Sequence, residues 1–477
     1  MMTTDVPPLY TVEELAAAMG AEVRGQPGAV TGISIDTRTL AAGDAFFAIT
    51  GDVSDGHSFV DAALKAGASL AVVARDKAGA FAADAPLLVV EDVLEGLVAA
   101  GRAARARSGA RIVAVTGSVG KTTTKEALRL ALSADGPTHA SAASYNNHWG
   151  VPLSLARLPR EARYGVFEIG MNHAGEITPL VAMVRPHVAI VTTVEPVHIA
   201  QFSGIEAIAD AKAEIFSGLE PGGSAVLNQD NPHFARLAAA AEAQGAQVVS
   251  FGADESADVR LEDVSLKAHC STLVADVLGT QVTLKIGMPG RHVVQNVLAV
   301  LGAAELLGAD LALAGLALAR LTPPPGRGVP VPLALPGGTA TLLDESYNAN
   351  PASMRAALDV LSRTPVGPRG RRIAVLGDML ELGEAAATHH RELAEPVRAG
   401  GIDLVFCCGP LMRELWYALP AERRGGYAPT STSLTTILAS AIRPGDTLMV
   451  KGSNGSRMGP LVKALADRFR TVEEMAV

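Results

Sequence analysis

The run Thr116-Gly-Ser-Val-Gly-Lys-Thr-Thr-Thr124 has the residue types and spacing of a phosphate cradle. Gly117 and Gly120 let the backbone pass close to a polyphosphate. Free N–H groups at the start of the helix that follows point at anionic oxygens. Lys121 can reach terminal phosphates, and the Thr122 hydroxyl can ligate Mg2+. Thr116, Ser118, Val119 and Thr123 complete the loop. The full spacing of such loops places a Gly at position 115, where this chain has Val115, so the loop is the shorter G-x-x-G-K-T-T form. Glu168 closes the apolar run of Tyr164–Ile169, and His198 follows that of His187–Val194. Sites in parallel sheets gather at the carboxyl ends of strands, which puts Glu168 and His198 on the same rim as the loop. A carboxylate and an imidazole beside a nucleotide loop predict a Mg2+ site. Four polar loops carry further candidates: Ser144–Leu153 with Asn146 and Asn147, DESYNANP (344–351), GDMLELGE (377–384) and KGSNGSRM (451–458).

These groups need parallel strands to bring them together. Arg111–Val115 reads as a buried strand feeding the loop, with a helix after it. The chain has 477 residues, too many for one core, and 48% of them are hydrophobic but only 4% aromatic. Abundant Ala, Gly and Val suit helices packed on parallel sheets. Three α/β patterns succeed one another. The first, 1–86, opens with the capping box Thr11-Val-Glu-Glu14 and has short strands at Ile33–Asp36, Ala45–Ile49 and Leu70–Val73. Its clusters Asp36-Thr-Arg38 and Asp55-Gly-His57 suit either turn chemistry or ligand contact. The second, 87–321, contains the loop, a helix over Ile205–Phe216 that carries Lys212, a hairpin about Gly279-Thr280, and a helix over Val293–Leu307 that carries Asn296. Read alone, Lys212 is an ordinary surface lysine. Thr322-Pro-Pro-Pro-Gly-Arg-Gly328 then reads as a linker into a third pattern, 322–477. The expected fold is α/β in three domains. A central P-loop domain with a mostly parallel sheet is flanked by a small N-terminal α/β domain and a C-terminal Rossmann-like α/β domain.

The net charge of −9 makes nucleic acid an improbable partner. Cys270, Cys407 and Cys408 have no metal-ligand spacing, and an odd count with an adjacent pair fits a reducing compartment. The N-terminal residues lack an apolar signal core, and no apolar run is long enough to span a bilayer. The expectation is a cytoplasmic monomer without membrane insertion.

Taken together, the motifs resemble the Mur ligases, the ATP-dependent amide-forming enzymes of peptidoglycan synthesis. TGSVGKTTTKE (116–126) is similar to their ATP loop. DESYNANPASM (344–354) and GDMLELG (377–383) are most similar to members that join D-alanyl-D-alanine to UDP-N-acetylmuramoyl-tripeptide. The resemblance implies that Lys121 and Thr122 meet the ATP phosphates and Mg2+. It implies that Glu168 and His198 ligate Mg2+, and that Lys212, in AKAEIF, is carbamylated and holds a second Mg2+ through its anionic oxygens. Asn296, Arg327 and Asp344 match nucleotide-contacting positions. Ser34, Thr37 and Arg38 match contacts to the UDP end of the substrate, and Asn348 and Asn350 match the dipeptide site. His198-Ile-Ala-Gln-Phe-Ser-Gly204 and Asn146-Asn-His-Trp-Gly150 depart from the family's usual HLEGFGS and NNEIG while keeping the His and the Asn pair. Two alternatives differ in substrate or class: another Mur-type ligase that adds a diamino acid, and a P-loop regulatory ATPase.

Overall fold

The computed structural model describes residues 8–51, 54–197 and 199–470. Three sheets follow one another along the chain. The first holds β1 (Glu22–Arg24), β2 (Gly32–Ser34), β3 (Asp44–Phe47), β4 (Leu70–Ala74) and β5 (Leu87–Val90), in the order β1-β5-β4-β3-β2. All its pairings are parallel except that of β1 with β5. Strand β5 lies past the boundary expected at residue 86, so the first sheet runs on to Val90. Its sequence, Leu-Leu-Val-Val, is fully buried.

The central sheet has nine strands: β6 (Arg111–Thr116), β7 (Thr138–Ala140), β8 (Tyr164–Glu168), β9 (Val188–Val191), β10 (Ser224–Asn228), β11 (Gln247–Gly252), β12 (Val259–Leu266), β13 (Ser271–Val277) and β14 (Thr280–Ile286). Their order is β14-β13-β12-β11-β10-β9-β6-β8-β7. Pairing is parallel from β7 to β12 and antiparallel through the expected hairpin β13–β14. Strand β6 is apolar and buried from Ile112 to Val115 because both of its faces are covered there. Ile112 and Ala114 join one core, which runs on into the first domain, and Val113 and Val115 join the other. Helices Lys121–Ser133 and Arg291–Leu306 pack together on the second face. The first domain is tied down by polar contacts as well. Tyr10 Oη donates to Ala156 O at 2.8 Å, and Arg157 Nε donates to Ile33 O at 2.7 Å.

The third sheet holds β15 (Val329–Leu335), β16 (Gly338–Glu345), β17 (Arg372–Gly377), β18 (Leu404–Cys408), β19 (Arg424–Ala428) and β20 (Thr447–Lys451), ordered β15-β16-β20-β17-β18-β19. Strand β15 contains Pro330 and Pro332, which suits an edge position where a missing N–H leaves no ladder bond unmade. One expected helix is shorter. The helix from Ile205 ends at Ala213 and tightens into a 3₁₀ turn over Glu214–Gly218. The Glu214 carboxylate there accepts from the N–H groups of Gly175, Ile177 and Thr178, satisfying the start of the helix Ile177–Val184. In the third domain the helical stretch 386–399 is broken into Ala386–Glu392 and Ala394–Ala399. Pro396 accounts for the break, because it cannot donate to the carbonyl of Glu392 and its ring crowds that group.

Candidate active site

The turn after β6 is shaped by close contacts with the turn after β9. Gly117 has φ of +145°, and a Cβ there would collide with the Thr192 hydroxyl. The Thr116 carbonyl accepts from Thr192 N at 3.0 Å, and Thr192 Oγ1 donates to Val119 O at 2.5 Å. Ser118 N donates to Thr193 O at 2.9 Å, and the Ser118 hydroxyl bridges the backbone N–H and C=O of Glu195, each at 2.9 Å. Gly120 precedes the helix in a left-handed conformation (φ +86°), and a Cβ on it would stand 2.8 Å from Asn296 Oδ1. Asn296 therefore sits directly against the loop. Lys121 folds back, its Nζ donating to Gly117 O at 2.7 Å. Thr123 lines the same cavity.

On the other side of β6 the loop meets β8. Thr122 Oγ1 donates to Glu168 Oε2 at 2.9 Å, and Asn146 Nδ2 donates to Glu168 Oε1 at 2.8 Å. Both carboxylate oxygens of this buried glutamate are thus held by neutral donors. The Ser144 hydroxyl lies 3.3 Å from that of Thr122. Asn147 Oδ1 accepts from Gly150 N at 2.9 Å, fixing the start of the next helix. Beneath this loop Lys125, fully buried, donates to Ser141 O at 2.8 Å and Ala143 O at 2.6 Å. Ala143 is left-handed (φ +45°), a conformation that an alanine holds here under that clamp.

Two cationic groups share the interior. Desolvation lowers the Lys121 pKa, opposed by the Glu168 carboxylate and reinforced by Arg327. Lys212 is only 3% exposed. Burial, with the charge of Lys121, pushes its pKa well below the usual lysine value. Its side chain has no hydrogen-bond or ion-pair partner among the described residues.

A cavity of about 1190 Å3 joins the central and C-terminal domains. It is lined on one side by Lys121, Thr122, Asn146, Glu168 and Asn296, and on the other by Arg327, Glu345, Asn348, Asn350 and Lys451. Arg327 stacks over the Tyr347 ring at 4.1 Å. Asn350 caps the helix Pro351–Arg363, its side chain accepting from Ser353 N at 2.9 Å. Lys451 Nζ donates to Asn348 O at 3.0 Å and pairs with Glu345 Oε2 at 3.2 Å. Asp344 is not among the lining residues. Its carboxylate accepts from Ser346 N at 3.0 Å, and its neighbour Glu345 faces the cavity instead, since adjacent strand residues face opposite ways. Ser34, Thr37 and Arg38 lie apart from this cavity in the first domain. Ser34 is buried against Asp36, and the exposed Arg38 pairs with Asp36 at 2.6 Å. Their neighbours Ile33 and Thr39 line a second cavity of about 560 Å3 with Tyr145, Arg157 and Arg160. His198 lies outside the described residues.

Ser144, Glu345, Tyr347 and Lys451 were not singled out from sequence, although each sits in a polar loop that was. Gln295 carried no signal beyond adjacency to Asn296. Among the described residues no three His, Cys, Asp or Glu side chains converge on a metal position. Thr122 and Glu168 nevertheless offer adjacent hard oxygens, which fits Mg2+, an ion that binds through few protein ligands and keeps its waters.

A glycine-shaped phosphate loop whose cavity is shared with a third α/β domain defines a nucleotide-using enzyme class. The Mur ligase family catalytic domain model matches residues 29–113, the Mur ligase middle domain 115–304, and the Mur ligase glutamate ligase domain 335–454. The UDP-N-acetylmuramoyl-tripeptide–D-alanyl-D-alanine ligase of Escherichia coli (strain K12) is 34% identical over 459 residues, covering 96% of this chain and 98% of the relative. The enzyme of the same name from Synechocystis is 34% identical over 441 residues, covering 91% and 92%. The crystal structure of MurF from Acinetobacter baumannii superposes with a TM-score of 0.82 at 29% identity, covering 97% of this chain and all of the other. The chain belongs to the Mur ligase family.

Proposed function

We infer that the protein is an ATP-dependent ligase that joins D-alanyl-D-alanine to UDP-N-acetylmuramoyl-tripeptide in peptidoglycan biosynthesis. The observation that carries the reading is the single cavity between the phosphate loop and the polar loops of the C-terminal domain. It gives an activated acyl group and an incoming amine a common space. Near-full-length similarity to ligases of that name supports the substrate choice.

The substrate carboxylate attacks the γ-phosphorus of ATP, the bond to the bridging oxygen breaks, and ADP leaves. The amine of the dipeptide then adds to the acyl phosphate carbon, the tetrahedral intermediate expels phosphate, and the amine loses its proton. A free carboxylate is a poor electrophile, and phosphorylation supplies the leaving group. Lys121 leaves the Gly117 carbonyl to meet the transferring phosphoryl oxygens, where a fixed positive charge counts most. Thr122 and Glu168, with His198, would hold Mg2+, which would neutralise phosphate charge when bound. Burial and the charge of Lys121 lower the Lys212 pKa, which favours the nucleophilic amine form. Addition to carbon dioxide, with loss of a proton, would make it a carbamate whose oxygens would hold a second Mg2+. Arg327 and Asn296 hold the nucleotide, Asn348 and Asn350 the dipeptide, and Ser34, Thr37 and Arg38 the uridine diphosphate. Asn146 orients Glu168. Asn147 shapes the loop that carries it.

Phosphate release from ATP tests the reading. Release that requires both the UDP-muramoyl tripeptide and D-alanyl-D-alanine, with a new amide by mass, is expected. Release with single amino acids would move the protein to a neighbouring ligase, and release with neither would make it an ATPase.

A further inference from the structure

One arm of the large cavity leads towards the first domain. From the phosphate loop it runs past Glu168, Gly170 and Met171 to the helix Val93–Arg107. That helix begins just past β5 and carries the chain from the first domain into the central one. The floor of the arm is apolar. Leu94 and Val98 from the helix are half-buried there, and Met171, Leu180 and Met183 are buried beside them.

Two exposed, charged side chains line the same arm, Glu95 and Arg102. Spacings of three and four residues put them on one helix face with Leu94 and Val98. They stand two turns apart, about 10 Å along the axis. Neither side chain has a hydrogen-bond or ion-pair partner among the described residues. Glu176, the other carboxylate at this end, is already taken by Asn172 N at 2.7 Å and His173 Nδ1 at 3.0 Å. The arm is thus an apolar slot that offers one unpaired anion and one unpaired cation. Its complement is an aliphatic chain whose far end carries both an ammonium and a carboxylate.

On the ligase reading, the third residue of the tripeptide supplies the reacting carboxylate. Its side chain leaves from the carbon next to the reacting one, so it must lie close to Lys121 and Glu168. The uridine diphosphate end belongs to the first domain, and the peptide approaches from that side. We propose that this arm holds the side chain of the third residue and selects diaminopimelate over lysine, Glu95 meeting the terminal ammonium and Arg102 the terminal carboxylate. Lysine is diaminopimelate without that carboxylate, so it satisfies Glu95 and leaves Arg102 unmatched. The inference rests on the ligase reading above.

The test is kcat/KM of the full-length enzyme for two UDP-muramoyl tripeptides, one ending in meso-diaminopimelate and one in L-lysine, at saturating ATP, Mg2+ and D-alanyl-D-alanine. The wild type is expected to favour the diaminopimelate substrate by about tenfold, the scale of one charge-assisted hydrogen bond at a site that solvent reaches. Arg102→Met should bring the two substrates to near equality by raising KM for the diaminopimelate substrate alone. Glu95→Gln should raise KM for both by a similar factor, because both carry the ammonium, and should leave their ratio in place. The ratio is read within each variant, so a general loss of fold does not mimic the effect, and KM for ATP should stay at the wild-type value throughout. A wild-type ratio retained in Arg102→Met overturns the role of Arg102. An equal loss for both substrates in Arg102→Met would assign the guanidinium to a carboxylate that they share, such as that of the D-glutamyl residue, and overturns the side-chain assignment. Unchanged KM values in Glu95→Gln overturn the role of Glu95. Equal turnover of the two substrates by the wild type, or a preference for lysine, overturns the inference and leaves the ligase reading standing, whereas turnover of neither removes the ligase reading itself.

Discussion

Two lysines lie deep in the central domain, and their surroundings are opposite. Lys125, in the second turn of the phosphate-loop helix, is ringed by acceptors: Ser141 O, Ala143 O and, at 2.7 Å, the carboxylate of Glu126. Lys212, on the helix Ile205–Ala213, faces another cation in Lys121 and has no acceptor among the described residues. A buried ammonium with its hydrogen bonds filled ties structure together. A buried amine without them holds its proton less tightly and remains chemically available. Burial alone therefore does not identify a functional lysine, and the acceptors around it do.

The sharpest way to break this comparison is to remove the amine that is held in reserve. Lys212→Ala should lower kcat by about 10²–10³-fold, the scale of losing one preorganised electrostatic group. A small carboxylic acid in the assay should restore part of it, and full activity without rescue would dismiss the carbamate. Lys125→Met acts on fold instead, since the carbonyls of buried Ser141 and of Ala143 lose a charged donor. It should destabilise the protein by about 3 kcal/mol, read from the denaturant midpoint. The same substitution at the other site, Lys212→Met, should carry the opposite sign. The folded pKa of Lys212 is depressed, so unfolding takes up a proton at pH values between that pKa and the unfolded value near ~10.4. Stability of the wild type therefore rises with pH across that window. The methionine variant should melt higher than the wild type at neutral pH, and the gap should close as pH approaches about 10. A lower melting temperature for Lys212→Met at every pH would erase the contrast. The smallest effect is expected for Ser144→Ala, which removes one 3.3 Å contact to Thr122 in the loop that Lys125 clamps. A loss of about 1 kcal/mol or less in thermal unfolding is expected.

The contrast also shows what the sequence made legible. Lys125 stands inside the GKTTTKE run and drew no attention, because its role depends on backbone carbonyls that only folding brings near. Lys212 looked like a surface residue and was singled out by resemblance alone, since its burial comes from the packing of the helix Ile205–Ala213 onto the sheet. Elements with strong local signals were readable: the phosphate loop, the apolar strands β6, β8 and β9, and the hairpin β13–β14. The edge strand β15 was not, because its two prolines argue against a strand unless the missing ladder partner is known to be absent. The pairing of Glu168 with Thr122 followed from strand ends meeting on one rim. The cavity wall made by Glu345 and Lys451 required the adjacency of β16 and β20, which lie more than a hundred residues apart in sequence.

On the proposed reading, the hydrogen bond from Lys121 to the Gly117 carbonyl makes nucleotide entry an exchange reaction. The ammonium is partly buried and already bonded, so an arriving anion gains only the difference between its own attraction and that of the loop. An ion that met the lysine alone would gain little by this swap. A polyphosphate also collects the N–H groups at the helix start, and those contacts add to the lysine's rather than replacing it. The loop would thus reject weak competitors by being its own first occupant, a form of selectivity that operates before any base or sugar is touched.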